Sequence, residues 1–453
     1  KARFRSPLDA IAAGLGMVHQ HFMLVESMTV AENIALGLEP VRGPVLDSKA
    51  MYANAEAVIK KYAFNIDPSC RIRDLPTGTR QKVEILKALF RNARLIILDE
   101  PTAVLTPQET VELFAQLRAL KEKGHTIIFI SHKLGEIKSI CDRITITRGG
   151  RSEGVYRVDE LSKEQISNLM VGKELNWDID KKEARRGEVV LHAAHISVLN
   201  QARRRVLDDV SFTLRGGEIL GIAGVEGNGQ RELVEAVTGL RKCDTGTVTL
   251  LGADIAPLSI KRIRGRGMAH IPQDRMDSGA ALASSVEENL ISVAYDSEFS
   301  GGLGARRGPV LKRKKIRRHS LEAIRDYRIK TRSPDVPVKM LSGGNIQKVV
   351  VAREFSENAP CIIADQPTRG IDIGAAKFIH KKLLALRDGG AAVLLVSADL
   401  SEVMDLSDSL LVMYGGRVAA FFPDARKAGE QQLGRYMLGL ARQSEEEIQR
   451  SVS

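Results

Sequence analysis

The chain has 453 residues, of which 43% are hydrophobic and 27% are charged; this is ordinary for a globular protein, and the length predicts two or three domains. No stretch reaches the run of about 18 uncharged apolar residues that a membrane-spanning helix needs, and the chain begins at Lys1 without a signal-peptide pattern, so we expect a truncated N-terminus. Four scattered cysteines fit a reducing compartment, and the net charge of +11 admits polyanions or an anionic membrane surface as partners.

The clearest predicted element of the first half is a strand, Leu95–Asp99, that ends in two acids. Its four leading apolar residues are typical of a parallel strand buried on both faces. Ligands of open α/β sheets bind at the carboxyl ends of the strands, which is where Asp99 and Glu100 emerge. In nucleotide hydrolases the first such acid holds Mg²⁺ and the second orients or deprotonates the attacking water. Taken alone, the pattern equally describes a strand that ends in two solvated acids.

The same pattern occurs twice along the chain. Three stretches of the first half are matched in the second half at one constant offset. These pairs are Leu75–Val83 with Leu341–Val349, Ile97–Thr102 with Ile363–Thr368, and Ile128–His132 with Leu394–Ala398. Two earlier pairs have a slightly smaller offset: Gly16–Gln20 with Gly267–Gln273, and Val30–Ile34 with Val286–Leu290. The chain therefore contains two copies of one domain.

The second half also contains a glycine-rich turn, Gly224–Arg231, which follows a predicted strand and opens a helix. Backbone amides of such a turn wrap a phosphate, and the helix start adds partial positive charge. A working P-loop continues with lysine and a Mg²⁺-binding hydroxyl, where this sequence has Gln230 and Arg231. We predict a loop that holds nucleotide and is weakly catalytic or inactive. Its first-half counterpart would precede Lys1, so we expect the sequence as given to be inactive alone.

A second glycine turn, Ser342–Gln347, opens a helix without a strand leading into it. Ser342 is a natural N-cap, and exposed amides at a helix start bind anions. With Leu341, this turn matches the signature of ATP-binding cassette proteins. Both halves therefore resemble ATP-binding cassette ATPase domains, and the tandem resembles the fused ATPase subunit of bacterial importers for simple sugars and nucleosides. Met17–Val25 and Asp365–Gly370 are most similar to the nucleoside-type branch.

This resemblance implies an α/β fold with two tandem P-loop NTPase domains of ATP-binding cassette type. The implied domains are residues 1–172, which lack Walker A, a linker at 173–187, residues 188–438 with a degenerate Walker A, and a tail at 439–453. The implied catalytic residues are Gln20 of the Q-loop, Glu100 as catalytic glutamate and His132 as switch histidine, with Asp99 and Gln20 on Mg²⁺. Nucleotide-binding residues are expected at Gly224, Gly227, Asn228, Gly229, Gln230, Arg231, Gln273, Ser342, Gly343, Gly344, Gln347 and Asp365.

The two halves differ at positions that decide the chemistry. The second half has Gln366 in place of Glu100 and Ala398 in place of His132. The first half has Leu75–Gly78 in place of Leu341–Gly344, and Pro76 there removes an amide donor. Glutamine accepts no proton, and loss of a catalytic base costs about 10²–10⁴ in rate. In the head-to-tail pairing that the resemblance implies, every defect falls on one site. We therefore predict one hydrolytic site and one site that only holds nucleotide.

The resemblance implies a transport ATPase that uses ATP and Mg²⁺ and energises import of a simple sugar or nucleoside. Its expected partners are transmembrane permease subunits and, indirectly, an extracytoplasmic substrate-binding protein, with no nucleic acid. Its expected location is the cytoplasmic face of the cell membrane. The alternative is a tandem cassette ATPase that acts on ribosomes or nucleic acid, which the positive charge permits. The short linker and the single broken site favour transport.

Overall fold

The computed structural model describes residues 3–19, 22–102, 105, 107–131, 133–148, 151–162, 165–166, 169–170, 181–200, 202–301, 310–356 and 358–450. The chain divides into two compact units, Lys1–Trp177 and Asp178–Ser453. Each unit is described by itself.

The first unit is built around a parallel sheet of three strands with the order β1-β4-β5. Helix α4 packs against β1 and α5 against β5, and helices α2 and α3 pack on α4. Ile96 and Leu98 of β4 are fully buried in this core. Strands β6 and β7 form a separate antiparallel pair. In chain order the elements are α1 (Pro7–Ala12), β1 (Leu15–Val18), α2 (Val30–Ala35), β2 (Val41–Arg42), β3 (Val45–Leu46), α3 (Ser48–Lys61), α4 (Thr77–Phe90), β4 (Leu95–Asp99), α5 (Pro107–Glu122), β5 (Thr126–Ile130), α6 (Leu134–Ile140), β6 (Arg143–Arg148) and β7 (Arg151–Arg157).

The second unit contains a sheet of six strands with the order β13-β16-β17-β10-β18-β19 and an antiparallel sheet with the order β12-β11-β8-β9. All five residues of each of β10, β16 and β17 are buried. In chain order the elements are β8 (Val189–Leu199), β9 (Arg205–Arg215), β10 (Ile219–Ala223), α7 (Gln230–Val237), β11 (Thr245–Leu250), β12 (Ala253–Asp254), α8 (Ile260–Gly265), β13 (Met268–Ile271), α9 (Val286–Ile291), β14 (Ser300–Gly301), β15 (Val310–Leu311), α10 (Arg313–Asp326), α11 (Gly343–Phe355), β16 (Cys361–Asp365), α12 (Ile373–Asp388), β17 (Ala392–Val396), α13 (Leu400–Leu406), β18 (Ser409–Tyr414), β19 (Arg417–Phe422), α14 (Glu430–Met437) and α15 (Glu445–Gln449).

The sequence repeat corresponds to a structural repeat, and short helices show why. Helix α2 begins with a capping box between Thr29 and Glu32, and α9 begins with the same box between Ser285 and Glu288. Because a capping box satisfies two otherwise unpaired amides at a helix start, both helices begin at the matched residue. One turn later, buried Asn289 accepts a hydrogen bond from the Ala281 amide and donates back to the Ala281 carbonyl. Asn33 makes the same pair of bonds in the first unit.

Strand β4 differs from the prediction. We expected it to be buried on both faces, but Leu95, Ile97 and Asp99 are only half-buried. The neighbouring strand β5 exposes 45% of Ile128 and 45% of Ile130. In the second unit, β10 lies between β17 and β18 and completes the sheet, whereas the described residues of the first unit place no strand between β5 and β6. Within the described residues of this unit, the edge of β5 is unpaired, and Ile128 and Ile130 are exposed beside half-buried Ile97 and Asp99.

The predicted linker and tail contain residues that pack on the second unit. Lys181, within the range 173–187, donates to the Ser407 carbonyl at 2.6 Å and pairs with Asp408 at 3.4 Å; residues 171–180 lie outside the described part of the chain. Near the end of the chain, the Gln443 amide donates to the Ala419 carbonyl in β19. Ile448 of α15 is buried in the main core of the unit. Residues 443–448 are thus part of the folded unit and do not form a free tail, because α15 has an apolar side chain to bury.

Candidate functional site

The two predicted acidic positions lie at the carboxyl end of the matching strands β4 and β16. Glu100 and Gln366 each follow the strand in a left-handed backbone conformation, with φ of 44° and 51°. Each backbone amide donates to the last residue of the neighbouring strand, Ile130 at 2.9 Å and Val396 at 2.8 Å. Non-glycine residues rarely adopt positive φ, and such geometry concentrates at functional sites. The backbone of the turn therefore has the same conformation at the second position in both units.

The side chain of Gln366 is held by the position that replaces the switch histidine. Its Oε1 accepts a hydrogen bond from the Ala398 amide at 3.0 Å, so residues 366 and 398 lie in one pocket of the second unit. The carboxamide has no basic group at neutral pH, and Ala398 has no imidazole. The equivalent His132 of the first unit, like Gln20, lies outside the described residues.

The environments of the first acids differ between the units. Asp99 is half-buried, whereas Asp365 is only 5% exposed. Burial raises the pKa of Asp365 to about 7, although nearby Arg369 and Arg231 oppose this shift. Removing water from a carboxylate disfavours its charged form, so Asp365 is partly protonated near neutral pH.

A threonine–glutamate bond connects each acidic turn to the next helix. Thr102 donates to Glu136 of α6 at 2.7 Å, and Thr368 donates to Glu402 of α13 at 2.7 Å. In the second unit, Gln347 donates to the Pro367 carbonyl at 2.8 Å. Gln347 is 2% exposed, so it supports the turn from inside. Its expected contact with nucleotide, inferred from its place in the signature, stays a prediction.

The glycine-rich loop of the second unit has the geometry of a phosphate cradle. It joins β10 to α7, and Gly227 and Gly229 have φ values of 93° and 99°. A Cβ atom at Gly229 would lie 2.9 Å from the Val206 carbonyl oxygen, so only glycine fits there. A helix start of this kind attracts anions. Gly224, Gly227 and Gly229 therefore form the turn between strand and helix that the sequence predicted, and their contact with nucleotide stays a prediction.

The side chains of this loop fill other roles. Asn228 donates to the Met437 carbonyl at 3.2 Å and accepts from the Gly415 amide at 3.1 Å, so it fixes the loop to the β18–β19 turn. Arg231 donates to Glu235 at 3.0 Å, and this ion pair raises the pKa of the guanidinium. The Gln230 side chain folds back over the loop, and its Nε2 lies 2.2 Å from where a Cβ atom of Gly224 would be.

The signature turn begins α11 with Ser342 as the N-cap residue, as predicted. Its hydroxyl accepts from the Asn345 side chain at 2.8 Å and makes no capping bond to the backbone. The first-unit counterpart begins α4 with Pro76 as the N-cap residue. There the Glu109 carboxylate lies against the helix start, since a Cβ atom at Gly78 would be 2.3 Å from its Oε1. The first-unit turn therefore already has an acidic group beside it.

Arg275, two residues after Gln273, was not among the predicted site residues. Its guanidinium donates to the carbonyls of Arg369 at 2.5 Å and Gly370 at 3.2 Å. It also lies beside the signature, because a Cβ atom at Gly343 would be 2.8 Å from Nη2. Arg275 thus joins the segment after Gln273 to the turn after Gln366 and to the signature. Its position next to Gln273 was the only available signal.

The first-unit acids suit Mg²⁺ better than the second-unit loop does. In the part of the chain that the structure describes, no three His, Cys, Asp or Glu side chains cluster as a metal site. Mg²⁺ usually takes one or two carboxylates and completes its shell with phosphate and water. Asp99 at the end of β4 could supply a carboxylate, and bound ATP could supply the phosphate. The second-unit loop has no hydroxyl at position 231, so it does not offer the usual metal ligand.

Sequence comparison identifies the class to which this fold and loop belong. The chain matches the family described as ABC transporter over residues 4–103 and 207–369, and it belongs to that family, as the resemblance predicted. Among the described residues, no helix is long and apolar enough to cross a bilayer.

Several curated relatives are similar over almost the whole chain. The guanosine import ATP-binding protein NupO of Bacillus subtilis is 42% identical over 97% of this chain and 85% of its own. The nucleoside import ATP-binding protein NupA of Lactococcus lactis is 38% identical over 96% and 85%. A ribose import ATP-binding protein of Rubrobacter xylanophilus is 37% identical over 95% and 84%.

One solved structure resembles most of the chain. It is the complex of an archaeal ribosome recycling factor with a ribosomal stalk protein, at 18% identity and a TM-score of 0.61, covering 91% of this chain and 76% of that one. At this identity the similarity concerns the fold alone.

Proposed function

We propose that the chain is the ATP-hydrolysing subunit of an importer that moves a nucleoside or simple sugar through separate permease chains. The observation that carries the proposal is the 42% identity over 97% of the chain to a guanosine import ATP-binding protein. Nucleoside and ribose relatives at 37–38% support the same class of transport system. The ribosomal alternative rests on an 18% likeness of fold, which carries no function.

We further propose that hydrolysis uses the first-unit residues and that the second-unit loop holds nucleotide. Glu100 would act as general base, with His132 near the γ-phosphate and Asp99 with Gln20 on Mg²⁺. Ser342, Gly343 and Gly344 would bind phosphate in the head-to-tail pairing that the resemblance implies. Bound Mg²⁺ would neutralise phosphate charge. Gln366, held by the Ala398 amide, offers no base for a second hydrolytic event.

The proposed partners are the permease subunits and, through them, an extracytoplasmic binding protein. The corresponding location is the cytoplasmic face of the cell membrane. In this arrangement the substrate contacts the permease and the binding protein, so the nucleotide site carries no information about substrate identity.

The test reconstitutes the full-length protein, with its first-unit P-loop, and separate permease subunits in proteoliposomes. We expect ATP-dependent uptake of labelled guanosine or labelled ribose, and copurification of the chain with the permease. Uptake of one compound and not the other identifies the substrate class. Copurification with ribosomal RNA, and no uptake of either compound, would contradict the transport function.

A further inference from the structure

We infer that the second-unit loop, Gly224–Arg231, binds the ATP polyphosphate without providing a ligand to Mg²⁺, with the Gln230 carboxamide as a neutral donor. This rests on the proposed holding function of the loop and adds that nucleotide binding there is independent of the metal ion. A catalytic P-loop instead uses a lysine ammonium and a hydroxyl that binds Mg²⁺.

Position 231, where a catalytic P-loop has its metal-binding hydroxyl, is occupied by arginine. Arg231 has 75% of its side chain exposed and is paired with Glu235, one turn further along α7. Glu235 also holds Arg241 at 2.6 Å, so the three residues form a closed charge cluster on the helix surface. An arginine donates and cannot coordinate a cation. Nothing at position 231 therefore replaces the missing oxygen ligand.

Gln230 occupies the position at which a catalytic P-loop has its lysine. Its carboxamide lies against Gly224, with Nε2 and Cδ at 2.2 Å and 2.8 Å from where a Cβ atom would be. The side chain therefore curls back over the loop, and its amide has two N–H donors for phosphate oxygens. It brings no positive charge.

Backbone amides and the start of α7 remain in this loop as groups that can bind the phosphates. The loop keeps the backbone amides that Gly227 and Gly229 present in their left-handed conformation, and α7 adds its positive helix end. The bond from Asn228 to the Met437 carbonyl and the Gly415 bond to Asn228 keep the loop in this shape without ligand. A preformed set of amides binds phosphate through hydrogen bonds, which do not require a metal ion.

The experiment measures ATP binding to the full chain by calorimetry, once in EDTA and once in excess Mg²⁺. The variant Gly227→Asp identifies the component that belongs to this loop. Gly227 has positive φ and open space around it, aspartate tolerates that conformation, and its carboxylate would repel phosphate. Gly252→Asp is the matched control, because Gly252 has φ of 73° and open space in the β11–β12 turn.

The binding component of this loop is the one that Gly227→Asp removes and Gly252→Asp retains. We expect the Kd of this component to change less than about threefold between EDTA and Mg²⁺. The double variant Gln230→Lys with Arg231→Thr should make the same component at least about tenfold tighter in Mg²⁺ than in EDTA. A wild-type component that disappears in EDTA, or tightens more than about tenfold with Mg²⁺, would overturn the inference that binding is independent of the metal ion. Absence of any component sensitive to Gly227→Asp would instead contradict the holding function itself.

Discussion

The two units use one framework in two environments. In the second unit, β10 lies between β17 and β18, and the central strands are buried on both faces. In the first unit the sheet has three strands, and β5 exposes Ile128 and Ile130. The matched acids follow this difference, since Asp99 is half-buried and Asp365 is almost fully buried.

The comparison separates what the backbone does from what the side chains do. Glu100 and Gln366 share the left-handed turn and the same bond to the neighbouring strand. The strained turn is therefore retained where the base has been lost, so it belongs to the fold and cannot by itself indicate hydrolysis. The two proposed roles are distinguished by the side chains at 100 and 366, by those at 132 and 398, and by the Leu75–Gly78 turn that replaces Leu341–Gly344.

The largest expected effect comes from removing the proposed general base. In the full-length protein with its first-unit P-loop, Glu100→Gln should lower steady-state ATP hydrolysis by the assembled importer by about 10²-fold or more, because glutamine cannot accept the proton. ATP binding should persist. The control is Glu122→Gln, at the exposed end of α5, which should leave the rate unchanged. Hydrolysis that survives in the Glu100 variant would show that the base lies elsewhere.

Next in size is the penalty for burying Asp365. The pKa of Asp365 is raised to about 7 in the folded chain, from an unfolded value near 3.8. The carboxyl group therefore does not destabilise the fold below pH 3.8, and its destabilisation is complete once the pH has risen through 7. Without nucleotide, Asp365→Asn should raise the free energy of unfolding at pH 8 by up to roughly 4 kcal/mol, from about 1.4 kcal/mol per pKa unit. Denaturant unfolding at pH 8 and pH 5 tests this.

The gain from Asp365→Asn should shrink towards pH 5, because the buried carboxyl is then protonated in the folded state. Asp277→Asn, at an exposed position, serves as the control. An equal gain at both pH values would mean that burial of charge is not the cause.

A smaller effect is expected at Arg275. Arg275→Ala removes the bonds to the carbonyls of Arg369 and Gly370, and hydrogen bonds from charged groups contribute about 1.5–3 kcal/mol. The second unit should lose stability of that order in thermal unfolding. Arg262→Ala, at an exposed position of α8, should change little. No loss in the Arg275 variant would show that the three segments do not depend on this guanidinium.

The smallest effect is expected from restoring an acid in the second unit. Gln366→Glu should change ATP hydrolysis by less than about twofold, because Ala398 and Pro76 remain and a base alone does not rebuild a site. The carboxylate can still accept from the Ala398 amide, so folding should be unaffected. A large gain in hydrolysis would mean that the lost base is the only defect.

Local patterns predicted most of this architecture. The paired stretches at Val30 and Val286, the strand before Asp99 and the glycine turn at Gly224 depend on neighbouring residues, and the structure contains all of them. The family comparison confirms the tandem organisation.

The predictions that went wrong, and the residue that was missed, depend on contacts distant in sequence. Burial of β4 depends on which strands and helices cover it. Gln347 is directed inward by the Pro367 carbonyl, and Arg275 matters because of carbonyls more than 90 residues away. A sequence pattern contains no information about such partners, so these positions required three-dimensional coordinates.

The acidic group beside the first-unit turn has a consequence for any attempt to rebuild it. Glu109 lies against Gly78, so the positive end of α4 is already neutralised from within the protein. Replacing Pro76 with serine would restore an amide, but an incoming phosphate would still meet a resident carboxylate. Repair would have to remove Glu109 at the same time, and either change alone should leave the turn unable to accept an anion.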